Sequence, residues 1–149
     1  VSKLDILKTG IPELREKLDF GEFHPALAGN YVDVWLNLSK DFQKEITAHQ
    51  EANEVYYDRR DTLLEALERD DLPPGKREEY EAELEERMTE YNERTWRIYA
   101  RLWDCEPEEV AALAREAEEL FFWLVSETWK RIGDYRAGRK KAPTGSSSG

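Results

Sequence analysis

Between Lys76 and Trp103 the apolar residues keep strict helical time. Tyr80, Leu84, Met88, Tyr91, Ile98 and Leu102 fall within one narrow stripe at about 100° per residue. A chain carrying such a stripe must bury it against another apolar face, so the segment predicts a long amphipathic helix with partners. Two neighbours have similar patterning. From Lys40 to about Asp70, the residues Phe42, Ile46, Tyr56, Leu63, Leu64 and Leu67 recur at mostly helical spacing, behind Ser39 as N-cap, with a weakly apolar middle at His49–Asn53. After the breaker DDLPPGK (70–76) and the second helix, EPEEVAAL restarts helical spacing with Pro107 in the first turn. Val110, Leu113, Ala117, Leu120, Leu124 and Ile132 then carry it to about Tyr135.

The N-terminal residues have a different period. In Tyr31–Leu38 (YVDVWLNL), Val32, Val34, Leu36 and Leu38 alternate with the remaining residues, the period-2 signature of a strand. A lone strand needs a partner, either near Phe20–Phe23 or on another chain. Ile11–Leu18 (IPELREKL) reads as a short helix with Pro12 in its first turn. The predicted fold is mainly α: an antiparallel bundle of about three long helices (39–70, 76–103 and 106–136) with a small N-terminal β element inside 11–38. Residues 1–137 form one helical domain, and AGRKKAPTGSSSG closes the chain as a tail expected to be disordered over 138–149.

Composition narrows the function classes. The 149 residues carry a formal charge of −11, with 37% charged side chains, five Trp, seven Tyr and five Phe. So many aromatics argue for a folded protein and against an acidic disordered chain. The acidic balance argues against nucleic acid as a ligand, because phosphate neutralisation needs a basic face. The single Cys105 excludes an intramolecular disulfide. VSKLDILKTG has no apolar run of signal-peptide length, and Phe121–Val125 with Leu120 falls far short of the ~18 residues of a membrane span. A cytoplasmic protein is the expectation.

Glutamate pairs at ExxE spacing suggest a metal site at first sight: Glu78/Glu81, Glu83/Glu86, Glu90/Glu93, Glu51/Glu54 and Glu116/Glu119. On the helical wheel those of residues 78–93 fall outside the apolar stripe, where carboxylates face water and not a bundle interior. Glu-x-x-His pairs, HExxH, CxxC, GxSxG and the phosphate-loop pattern are absent from the sequence. No catalytic residue, metal or cofactor is expected. The enzymatic alternative is an all-helical, magnesium-dependent nucleotide pyrophosphohydrolase-like protein using Glu51, Glu54 and Asp58. A small dimeric adaptor without chemistry is a third possibility.

The aromatic residues carry the stronger signal. Trp96, Tyr99 and Trp103 form a second stripe beside the first, and Phe122 and Trp129 make an i, i+7 pair beside Leu120/Leu124, with Trp123 further round. A bundle helix needs one apolar face, so the surplus covers something else. Either the β element, through Trp35 and Val34, closes over it, or it is a docking surface for a hydrophobic helix or a second copy of the chain.

Three features of this layout resemble the tail-assembly chaperones of long-tailed bacteriophages and prophages. GNYVDVWLNLS leads directly into a long helix, WDCEPEEVAALAREAEELFFWL occupies the last hairpin, and the chain ends YRAGRKKAPTGSSSG. The resemblance implies a non-enzymatic protein of the host cytoplasm that coats hydrophobic helices of a tape-measure protein. Trp96, Tyr99, Trp103, Phe122 and Trp129 would line its partner groove, with self-association as a further possibility.

Overall fold

The computed structural model describes residues 4–5 and 10–145, the last seven of these as helical backbone alone. The protein is mainly helical, with a small N-terminal two-stranded antiparallel sheet. The strands are β1 (Arg15–Asp19) and β2 (Tyr31–Trp35), and the helices α1 (Lys40–Leu67), α2 (Lys76–Trp103), α3 (Pro107–Glu116) and α4 (Glu118–Gly145). The chain divides into two compact units. One holds the residues up to Leu38, Arg101–Cys105, and everything from Ala112; the other holds Ser39–Ala100 and Glu106–Ala111.

In the first unit, β1 pairs with β2 from Arg15↔Trp35 to Asp19↔Tyr31. Alternation puts Leu18 and Val34 fully out of solvent. The Asp19 carboxylate organises the connection between the strands, accepting from the Gly21 amide (2.7 Å) and the Gly29 amide (3.2 Å). A Cβ on Gly21 would lie 2.8 Å from that carboxylate and 3.0 Å from the Ala28 Cα, so the tight path requires glycine. The Arg15 guanidinium donates to the carbonyls of Asp33 (2.8 Å), Leu102 (3.0 Å) and Arg101 (3.1 Å). It therefore caps the C-terminal end of α2 while anchored to the sheet. The Trp35 ring has Arg15 and Arg101 at 5.7 and 4.5 Å from its centroid. On α4, Arg131 pairs with Glu16 (2.5 Å) and Glu22 (3.1 Å).

The second unit is built on an antiparallel hairpin of α1 and α2. Ser39 Oγ accepts from the Phe42 amide at 3.1 Å, starting α1. Gly75, at φ 83°, turns the chain into α2. Arg77 reaches back to the carbonyls of Leu67 (2.9 Å) and Arg69 (3.0 Å), satisfying the end of α1. Farther along, Arg59 grips Glu83 through both carboxylate oxygens (2.6 and 2.8 Å), and the Tyr57 and Tyr91 hydroxyls meet at 2.8 Å. Phe42, Ile46, Tyr56, Leu63, Ile98, Ala100 and Val110 are its buried apolar residues.

Three local expectations change. Residues 11–18, expected as a short helix, contain strand β1: the helical spacing of Ile11, Leu14 and Leu18 gives way because Leu18 gains a buried place opposite Val32, and Ile11 and Leu14 stay exposed. The strand partner is thus Arg15–Asp19, while Phe20–Glu22 forms a 3-10 turn. The helix expected over 106–136 divides at Ala117, although the amide of Ala117 to Leu113 (2.8 Å) and that of Phe121 to the Ala117 carbonyl (2.9 Å) keep helical bonding across the joint. The tail expected over 138–149 differs as well, since α4 runs on to Gly145; residues 146–149 lie outside the described residues.

Candidate interaction surface

Glu106 precedes α3, and its amide donates to the Glu109 carboxylate at 3.1 Å, the reach-back bond that fixes a helix start. This sets Pro107, Glu108 and Ala111 along one side of the first turns of α3. They line, with Glu93, Trp96 and Arg97 of α2, an open cleft of about 310 Å³. All six belong to the same compact unit. Its apolar material is the Trp96 indole, the Pro107 ring and the Ala111 methyl. Glu93, Arg97 and Glu108 are exposed polar groups around them. Such a surface can take an apolar side chain, with charged groups at its margin to orient the backbone that carries it.

The five aromatics expected to line one groove have different environments. Trp96 and Tyr99 are half-buried in the hairpin unit, and Trp96 lines the cleft. Trp129, half-buried, and Phe122, 60% exposed, belong to the other unit with Trp103. Trp103 cannot be a groove residue. It is 2% exposed, its indole N–H donates to Thr128 Oγ1 at 2.8 Å, and Phe121 packs edge-on at 5.9 Å. The physical reason is that the indole N–H finds its acceptor inside the fold, on a threonine that is itself fully buried. Trp123, which begins outside the apolar stripe, packs on Phe23 at 5.6 Å.

The glutamate face of α2 behaves mostly as a solvated face: Glu78, Glu79, Glu81, Glu85, Glu86, Glu90 and Glu93 are exposed. Glu83 departs from that pattern. Hydrogen bonds from Arg59, then from Arg87, outweigh the opposing effect of burial and hold its carboxyl down at about 2. Glu51, Glu54 and Asp58 on α1 are exposed. Among the described residues, no group of three or more His, Cys, Asp or Glu side chains could hold a metal ion. No helix there is long and apolar enough to cross a membrane.

Two features were not read from the sequence. Pro107 and Ala111 joined the cleft through an i, i+4 relation that periodicity could have flagged. The tyrosine cluster of Tyr56, Tyr57 and Tyr91, with centroids 4.6 to 5.6 Å apart, depends on the register of α1 against α2, which no local pattern encodes. Comparison with known protein families, with curated protein sequences and with solved structures gave no match.

Proposed function

We propose that this protein is a non-enzymatic, tail-assembly-chaperone-like binding protein that receives hydrophobic or amphipathic helices of a protein partner such as a tape-measure protein. The observation that carries the proposal is the cleft at Trp96, where an indole, a proline ring and a methyl group stay open to solvent between two helices. Amphipathic helices dock into such surfaces through side chains at i, i+3, i+4 and i+7, and tryptophan is the residue most enriched among energetic anchors. The formal charge of −11 supports the same role, because an acidic exterior keeps a protein with exposed apolar residues in solution. Phe122, exposed on α4, offers a second apolar contact for a partner.

Binding of amphipathic helical peptides from a candidate partner to the purified protein, followed by calorimetry, tests the proposal. Trp96→Ala should weaken binding about tenfold or more, as loss of an anchor does, with the circular dichroism spectrum preserved. Unchanged affinity in a folded Trp96→Ala variant would remove the cleft from the binding function. Failure of the wild-type protein to bind any such helix would sink the chaperone role itself.

A further inference from the structure

The weakly apolar stretch in the middle of α1 faces α2 with a polar trio. The Asn53 amide stands between His49, on its own helix, and Arg94 of α2. Its Nδ2 lies 3.2 Å from His49 Nε2, and its oxygen accepts from Arg94 at 3.5 Å. Because Asn53 presents its NH2 to the histidine, Nε2 must be the unprotonated ring nitrogen, and the proton of neutral His49 sits on Nδ1. That Nδ1, and the Nε of Arg94, are buried atoms with no hydrogen-bond partner.

We propose that His49, Asn53 and Arg94 form a proton-sensitive clasp between α1 and α2, closed when His49 is neutral and opened when it is protonated. The reason is a count of donors and acceptors. Protonated His49 carries N–H groups at both ring positions, so Nε2 would point a proton at the Asn53 NH2. Rotating the amide by half a turn offers the oxygen to His49 but turns the NH2 against the Arg94 guanidinium, which has only donors. One amide oxygen cannot serve two cations on opposite sides. Arg94 is the charged group facing His49 from α2, and it opposes a second positive charge there. Glu45, one turn earlier on α1, is exposed. Burial first, and Arg94 second, push the His49 pKa below its ordinary 6.5. The sign follows: with the folded pKa below the unfolded one, stability from the clasp is complete above pH 6.5 and is lost as pH falls from there through the folded pKa.

The test combines NMR and urea unfolding on the full chain, with His24→Gln as background so that one histidine remains. The His49 ring should titrate below 6.5, and the Asn53 side-chain amide resonances should move with the same midpoint. The urea midpoint should fall between pH 7.5 and pH 5 by more than it does in His49→Gln, which keeps an acceptor but cannot titrate. Asn53→Asp supplies acceptors on both sides, so its acid loss should shrink or reverse. An equal acid loss in wild type and His49→Gln, or a His49 midpoint at or above 6.5, would overturn the proposal. If His49→Gln fails to fold, the NMR titration and the Asn53→Asp comparison decide alone.

Discussion

Trp103 and Trp96 lie seven residues apart on one helix, and their surroundings give them opposite roles. Trp103→Ala should cost about 3–5 kcal/mol, from lost burial and the cavity left behind. Thr128→Val isolates one part of that cost. It removes the Thr128 hydroxyl that accepts from the buried Trp103 N–H and should cost about 1–3 kcal/mol with little change in volume. Denaturant unfolding measures both, and a Trp96→Ala cost equal to that of Trp103→Ala would contradict the half-buried place of Trp96. The tyrosine pair gives a residue-scale test of ionisation. Burial first, and the hydrogen bond to Tyr57 second, push the Tyr91 hydroxyl up to about 12 from 10.0. A raised acid pKa stabilises the fold below pH 10 and ceases to do so as pH rises from 10 through 12. Ultraviolet titration should show a late tyrosinate that disappears in Tyr91→Phe, and loss of stability across that window should be smaller in the same variant.

At the scale of elements, the helix ends are held by arginines that arrive from elsewhere in the chain. Arg15 closes α2 from the sheet, and Arg77 closes α1 from the next helix. Arg15→Ala should cost about 1.5–3 kcal/mol, since it removes charged donors from carbonyls with no intrahelical partner. Arg15→Lys should recover only part of this, because an ammonium cannot fork between Asp33 and the helix end. The turn between α1 and α2 also needs a left-handed backbone at Gly75. A Cβ on Gly75 would meet nothing within 4 Å, yet φ is 83°. Gly75→Ala should therefore destabilise by about 1–2 kcal/mol through left-handed strain without any clash. Thermal unfolding that showed no loss would mean the turn relaxes to a right-handed path.

Over the whole molecule, 33 acidic residues against 22 basic ones give the charge of −11, and carboxylates cover much of α2. Dense carboxylates attract divalent cations diffusely, which differs from a site. Millimolar magnesium should therefore leave the unfolding midpoint without a saturable increase, since binding to the native state alone would stabilise by RT ln(1 + [L]/Kd). A saturable rise, abolished by Glu51→Gln or Glu54→Gln, would favour the nucleotide-hydrolysing alternative over the chaperone-like one. The aromatic surplus is also divided at this scale: Trp96 and Tyr99 fall in the hairpin unit, and Trp103, Phe122 and Trp129 in the sheet-bearing one.

The sequence by itself determined where α1, α2 and α3 begin and where α2 ends. Apolar period, Ser39 as N-cap, the DDLPPGK breaker and Pro107 are local signals, and the α2 bounds match them because helix hydrogen bonds close within four residues. The strand Tyr31–Trp35 was legible for the same reason, through its period of two. Tertiary structure decided what local spacing leaves open. IPELREKL has helical spacing, but Leu18 takes a buried place in the sheet opposite Val32, a partner that the local spacing of IPELREKL does not name. Trp96 and Trp103 sit on one stripe of the helical wheel, and their difference comes from a threonine 25 positions beyond Trp103. The cleft, the tyrosine pair and the His49 clasp depend on which turn of one helix meets which turn of another. That register is fixed by side-chain packing summed over the hairpin, a non-local quantity that periodicity cannot express.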